Sequence, residues 1–537
     1  MIQRLKITFR QYSFHVSFPV SCALLLLLIL GCKKDEPDVT PFVRLLENQK
    51  MYSTLFNNDI TYAVLLPDGY ETSTETYPVV YLLHGYGDDE KAWYTSGGLQ
   101  FYVDQYAGQI VDMIYVMPAA YYSYYVNKFS GDYPYMDMMT DELVPTIDSL
   151  FRTKKDKTSR AVMGYSMGGY GALILPALNP DVFTVGVPLS MSFRTDEQYI
   201  AEPQDVFNSQ WANLFGGFGA TGAERLTDYF LLHSPFHFFG TGDLSRFDDV
   251  KYLIDCGDDE ESLSITSDEL HSFMRDYSIA HEYRVRNGGH SFNYWKKSYP
   301  EAFQFISNAV QGLPHPTEPV PATIDPLINN EEIQSLDVVG LTLNVMTPVD
   351  YAISSANFPV LYLLHDYEDG DRAENVRDIF SLLRNNMNSG KLTKSIVVEI
   401  PVDEMEVSDD MIAEIISIID SSYHTIVGKQ GRVLLGNEEG GALASSIVSA
   451  NPGQYGSCYL FNALLPEEPV NASAEVFYYL DITDECASFN GNHSFYAQIR
   501  AEEIDYEYRV RQGSQNYQAF INGLAESLSS IKEILMN

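Results

Sequence analysis

The sequence predicts an α/β protein of two tandem domains. Each is a doubly wound, mostly parallel sheet flanked by helices, and the second is smaller and lacks most of a cap. Three observations predict it. Short continuous apolar runs alternate with longer stretches of helical period. A proline-rich segment divides the 537 residues. Five patterns from the first part recur, in the same order, in the second.

The apolar runs at Val79–Leu83 and at residues 114–117, 161–163 and 252–254 are rich in β formers. Runs of that length suit strands buried on both faces of a parallel sheet. Residues 141–151 and 169–178 carry a helical period between them. The divider, QGLPHPTEPVPATIDP at 311–326, holds prolines 314, 316, 319, 321 and 326 and reads as a stiff spacer. It sets a first domain at 41–313, a linker at 314–323 and a second domain at 324–537. The repeats are YPVVYLLH at 77–84 with FPVLYLLH at 358–365, RAVMG at 160–164 with RVLLG at 432–436, and EYRVR at 282–286 with EYRVR at 507–511. Gly168-Gly169 with Gly440-Gly441 and Asn179-Pro180 with Asn451-Pro452 complete the set.

Charge and composition exclude several function classes. Lys plus Arg number 34 and Asp plus Glu 73, a net −39. Without the first 31 residues, which carry Arg4, Lys6 and Arg10 and no acid, 31 bases face 73 acids, a net −42. Nucleic acid is excluded as a partner, because phosphate binding needs a basic stripe. Docking on anionic lipid through charge is excluded likewise. Aromatic content of 13% with 38 Tyr argues against disorder. Five cysteines form no disulfide framework. Cys256, Cys458 and Cys486 read as small buried hydrophobes.

The start of the chain reads as an address. The basic start precedes an apolar run at 23–30, far short of the roughly 20 residues of a spanning helix. It ends Ile29-Leu30-Gly31-Cys32, which resembles a bacterial lipobox. The resemblance implies a signal peptide at 1–31, diacylglycerol on Cys32 and a charged tether at 32–40. It also implies an exported lipoprotein on the outer membrane of a Gram-negative-type cell, exposed at the surface.

The chemistry lies in the first half. GYSMG at 164–168 follows an apolar run and precedes a small-residue helical stretch, the strand–turn–helix setting of a nucleophile elbow. Its glycines permit the tight turn that lifts the Ser166 hydroxyl, and the Met167 N–H points at a developing oxyanion. A serine hydroxyl needs a neighbouring base. NGGHSF at 287–292 puts His290 on a Gly-rich loop after the strand-like residues 283–285. His233, His237, His271 and His281 lack that setting and read as surface or capping residues. The acid that orients the imidazole falls between Ser and His in the chain. YLIDCG at 252–257 reads as a strand and its turn, leaving Asp258, Asp259, Glu260 and Glu261 as candidates. HGYG at 84–87 supplies a second oxyanion N–H after its strand. Trp211, Phe215, Phe218, Tyr229, Phe236 and Phe238, with Tyr121, Tyr122, Tyr124 and Tyr125, form either a binding wall or the packing of a cap.

These residues resemble the esterase D-like family of α/β-hydrolases, feruloyl-esterase-like members above all. The matching stretches are YLLHGYG at 81–87, GYSMGGYGA at 164–172, DCGDD at 255–259 and GGHSFNYW at 288–295. The resemblance implies nucleophile Ser166, base His290, and oxyanion N–H groups from Tyr86 and Met167. In such members the acid is usually an Asp three residues past the strand-end Gly. Glu260 stands there, so the acid stays open between Glu260 and Asp259. No cofactor or metal is implied.

The second half keeps the pattern and loses the chemistry. The repeats align Glu438 with Ser166, Gln515 with His290 and Cys486 with Glu260, and Asp366 replaces Gly85. Losing nucleophile and base together costs about 10⁶ in rate. Elbow-to-base spacing shrinks from 124 residues to 77, so about 47 residues of cap are missing. No His or Cys spacing beside Glu438 and Glu439 supports a metal site. The sequence thus reads as a surface-tethered serine carboxylesterase acting on an extracellular ester, feruloyl or acetyl groups on plant polysaccharide, with a degenerate second domain. The alternatives are an acyltransferase or siderophore esterase using the same triad. A polysaccharide-binding lipoprotein acting through its second half is the alternative of another class. The oligomeric state is not encoded in any pattern.

Overall fold

A computed structural model describes residues 43–325, 333–365, 372–402 and 407–536. The signal segment, Cys32, the tether at 32–40 and Asp366 lie outside the described residues. Residues 44–537 form one unit.

Sixteen strands among the described residues make a single sheet. In the first half they are β1 (Leu45–Ser53), β2 (Asn58–Leu65), β3 (Val79–Leu83), β4 (Ile114–Pro118), β5 (Arg160–Tyr165), β6 (Val185–Leu189), β7 (Lys251–Gly257) and β8 (His281–Arg286). In the second they are β9 (Gln334–Val338), β10 (Leu341–Met346), β11 (Val360–His365), β12 (Ile396–Pro401), β13 (Arg432–Asn437), β14 (Ser457–Phe461), β15 (Phe477–Thr483) and β16 (Tyr506–Arg511). The spatial order is β1-β2-β4-β3-β5-β6-β7-β8, then β16-β15-β14-β13-β11-β12-β10-β9. Read from opposite ends, the two halves have the same strand order. β3 to β8 run parallel, as do β11 to β16, and each half opens with an antiparallel pair.

The apolar runs account for this layout. Every residue of β3, β4, β5 and β6 is buried, which a strand covered by helices on both faces requires. One apolar layer covers a face of both halves. The other face is covered by the helix Phe292–Val310 in the first half and by Tyr517–Met536 in the second. β7 and β8 extend beyond their apolar centres to include Lys251, Arg284 and Arg286.

The structure corrects or sharpens the sequence reading in four places. Residues 141–151 are not one α-helix. A π-type turn, Met138–Leu143, leads into Val144–Leu150. Pro145 lacks an N–H and cannot close the i→i−4 bond there. His271 and His233 are buried rather than at the surface, His271 being 2% exposed, and His233 Nδ1–H donates to the Tyr229 carbonyl in the last turn of its helix at 2.7 Å. His271 Nε2–H donates to the Asp484 carbonyl of the second half at 2.9 Å. The cap aromatics are mostly packing, since Trp211 and Phe215 are fully buried and Phe238 nearly so, while Phe218 points outward. The Pro-rich linker is also bonded to the second half. Ala322 N–H donates to Asn522 at 2.8 Å, and Ser514 donates to Glu318 at 3.0 Å.

Residues 190–250, between β6 and β7, hold a series of short helices, whereas residues 462–476 between β14 and β15 hold none. Cys256, Cys458 and Cys486 are free, buried thiols. No helix among the described residues is long and apolar enough to cross a membrane.

The halves meet where β8 pairs antiparallel with β16, Val285 opposite Val510. Beside this joint the helix Glu261–Asp276 packs on Phe489–Ala501. His493 Nδ1 lies 2.9 Å from Asp268 across that contact.

Candidate active site

Ser166 stands between β5 and the helix Met167–Leu178 with φ 58° and ψ −120°, a conformation that L-residues rarely adopt. Neighbouring backbone holds it there. Its N–H donates to the Leu189 carbonyl at 2.9 Å, and its carbonyl accepts from Ser192 N–H at 3.0 Å. The turn demands glycine on both sides. A Cβ on Gly164 would lie 2.1 Å from the Gly168 carbonyl oxygen, and one on Gly168 would lie 2.2 Å from that of Leu83. Met167 is the first residue of its helix, so its N–H has no carbonyl to bond within the helix.

The segment after β3 lies against this elbow. A Cβ on Gly85 would sit 2.7 Å from the Tyr165 ring and 3.4 Å from Ser166 Cβ. His84 fixes the segment from inside. Its Nδ1–H donates to the Gly85 carbonyl at 2.8 Å, and its Nε2 accepts from Ala120 N–H at 2.8 Å. Burial lowers its pKa and favours the neutral ring that this pairing needs. Tyr165 Oη–H, on the residue before the nucleophile, donates to Asp88 at 2.7 Å. Tyr86 is half exposed and lies against Tyr122, with ring centroids 4.6 Å apart and the rings tilted by 50°.

His290 follows β8. Its Nδ1–H donates to Glu260 Oε2 at 2.6 Å. That bond leaves Nε2 as the unprotonated nitrogen. Glu260 follows β7, and its side chain is fully buried. Asp259 is exposed; its backbone N–H donates to the Gly288 carbonyl at 3.1 Å. Of the two open acids, the structure therefore brings Glu260 to the imidazole. Ser166, His290, Glu260 and Asp259 line one cavity of about 320 Å³ with Ser192, Arg194, Ser262 and Leu263. Ser166 Oγ and His290 share no hydrogen bond here, a common state for a serine–histidine pair without substrate.

Two residues that the sequence reading missed support Glu260. Ser190 Oγ–H donates to Glu260 Oε1, and Trp295 Nε1–H donates to Ser190 Oγ at 2.8 Å. The Trp295 ring also meets the His290 ring edge-on at 5.2 Å. Trp295 stood within the GGHSFNYW stretch. Ser190 follows β6 at φ 48° and carried no signal. A hydrogen bond to a buried charge is worth about 1.5–3 kcal/mol. Ser190→Ala is expected to lower kcat by about tenfold with KM nearly unchanged, as steady-state kinetics would measure.

The second half repeats the geometry with other atoms. Glu438 occupies its elbow at φ 50°, ψ −114°. Cys486 Sγ–H donates to Gln515 Oε1 at 3.4 Å, where the first half has Glu260 and His290. An amide oxygen cannot serve as a general base at neutral pH. No group of three or more His, Cys, Asp or Glu among the described residues is placed to hold a metal ion.

A strained serine elbow on a mostly parallel sheet, with a carboxylate-bound histidine on a later loop, defines an α/β-hydrolase type of domain. Residues 53–306 match the family profile described as "Putative esterase". The Endo-1,4-beta-xylanase/feruloyl esterase of Xylanibacter ruminicola is 35% identical over 130 residues, 22% of this chain and 18% of that protein. An acetyl esterase of Caldicellulosiruptor saccharolyticus is 21% identical over 269 residues, 48% of this chain and 96% of that protein. A solved ferulic acid esterase is 26% identical, with a TM-score of 0.42 over 49% of this chain and 98% of its own. The chain thus spans under a fifth of the length of the Xylanibacter relative.

Proposed function

We propose that the protein is a serine carboxylesterase acting on feruloyl or acetyl esters of plant polysaccharide. The observation that carries the reading is one cavity onto which a strained Ser166 and a His290 oriented by Glu260 both open. The match of residues 53–306 to the esterase family profile and relatives named feruloyl esterase and acetyl esterase support the acyl class.

In this reading Ser166 Oγ attacks the ester carbonyl as His290 Nε2 takes its proton. The Tyr86 and Met167 N–H groups receive the oxyanion. The tetrahedral carbon expels the alcohol, which takes the proton from His290, and an acyl group stays on Ser166. Water, deprotonated by the same nitrogen, then releases the acid and frees the serine. Glu260 holds the imidazole through Nδ1 and stabilises the imidazolium.

The second half is read as a degenerate, non-catalytic copy of the first. Cleavage before Cys32 and lipid on its sulfur would hold the enzyme at the outer face of a Gram-negative-type cell, beside extracellular polysaccharide. The test is release of ferulate from methyl ferulate and of acetate from acetylated xylan, against a Ser166→Ala control. Ser166-dependent release of either acid is expected. No release above the control from any ester would overturn the reading.

A further inference from the structure

The joint between the halves reaches the loops that carry the acid and the base. Asp258 lies two residues before Glu260 and is 1% exposed. Its Oδ1 accepts from Gly288 N–H at 2.9 Å, two residues before His290. Its Oδ2 accepts from Arg509 Nη1 at 2.6 Å and from Tyr508 N–H at 3.2 Å, both in β16. Its carbonyl accepts from Arg500 Nη1 at 2.9 Å and from the hydroxyls of Tyr496 and Tyr506 at 3.1 Å. One aspartate thus ties the acid loop to the base loop, and the second half supplies five of its six donors.

The arrangement has a mirror image. Asp484 accepts from Arg284 Nη1 at 2.5 Å, from Tyr283 N–H at 3.3 Å and from Gly513 N–H at 2.8 Å. Its carbonyl accepts from His271 at 2.9 Å and from Arg275 at 3.3 Å. Each arginine holds the loop of the opposite half. The consequences differ, because the Asp484 loop leads to Cys486 and Gln515, which cannot perform the chemistry. Burial raises the Asp258 carboxyl above its ordinary range, and Arg509 opposes the rise.

We propose that the second half is a positioning clamp for the first: Arg509 holds Asp258, and through it the loops that present Glu260 and His290. The proposal rests on the esterase reading above. It gives the non-catalytic half a role in the reaction, and Arg509 is a positioning residue that acts through Asp258.

The mirror pair supplies the control, since Arg509→Leu and Asp484→Asn each break one of two matched ion pairs and both lie in the second half. In the full chain, Arg509→Leu is expected to lower kcat for ester hydrolysis by about 10- to 100-fold with KM within about twofold. Asp484→Asn is expected to leave kcat within about twofold. Arg509→Lys keeps the charge and loses the fork, so it should recover most of the rate. If Arg509→Leu does not fold, Arg509→Gln against Asp484→Asn decides, with a kcat loss confined to the glutamine variant. Hydrogen exchange followed by mass spectrometry needs no substrate. It should rise at residues 257–263 and 287–292 in the Arg509 variant, and at residues 483–488 and 512–516 in the Asp484 variant. Equal kcat losses in the two variants, or unchanged exchange at 257–263 in the Arg509 variant, would overturn the clamp. A wild-type chain that hydrolyses no ester overturns the esterase reading instead, and the exchange pattern still decides whether Arg509 holds the loop.

Discussion

Ser166→Ala is expected to lower kcat for ester hydrolysis by about 10⁶-fold. The magnitude follows from how the parts act as a unit. Removing a serine nucleophile or its histidine costs about as much as removing a whole triad. What remains is the residual, about 10³–10⁴ over water, that an oxyanion hole and binding provide. The serine has no substitute nearby. Ser192 and Ser262 line the same cavity, but neither occupies the elbow that presents a hydroxyl beside a helix N-terminus. The substitution removes one oxygen from a partly exposed position, so the thermal unfolding midpoint should change little. Steady-state rates on a p-nitrophenyl ester, with unfolding curves for both proteins, make the measurement.

Glu260→Gln carries the second large effect, a loss of about 10⁴-fold in kcat. The Glu260 carboxylate accepts from His290 Nδ1–H at 2.6 Å and so keeps Nε2 as the base. An amide there can present its NH₂ to the ring instead and stabilise the wrong tautomer, the fault that costs a serine hydrolase about 10⁴ when its aspartate becomes asparagine. It also loses the charge that supports the imidazolium. Asp259→Asn is expected to change kcat by less than about threefold, since its side chain is exposed and its ordered contact is a backbone N–H. The ratio of the two effects assigns the acid. A larger loss from Asp259→Asn would move it to the neighbouring residue.

Some of this site is legible in the residues alone, for physical reasons. An elbow must be glycine on both sides of its serine, so GYSMG announces itself, and the positions a Cβ would take at Gly164 and Gly168 show why. Buried parallel strands must be continuously apolar, which places β3 and β5 within a residue or two. The acid is less legible. Asp258, Asp259, Glu260 and Glu261 are consecutive, and which carboxylate turns inward depends on the backbone after β7. Ser190 is illegible, because a lone serine after a strand resembles any turn serine. Its role comes from Trp295, more than a hundred residues on. The fate of His271 and Asp258 is illegible for the same reason. Both are buried by a surface that exists only once β8 and β16 lie side by side. The cap aromatics allowed a binding wall or a packed core, and burial of Trp211 and Phe215 answers for packing at those two. The change from π-type to α-helix within 141–151 was visible in principle, since Pro145 stands beside it.

The central claim is that the chain has one competent nucleophile, in the first half, activated by His290. The measurement that tests it most directly is labelling with a fluorophosphonate ester, read by intact mass and by peptide mapping. The account predicts one adduct per chain, on the peptide that contains Ser166, lost in Ser166→Ala and greatly slowed in His290→Gln. No adduct on the wild-type chain would contradict it, as would an adduct on any other serine, such as Ser192 or Ser262.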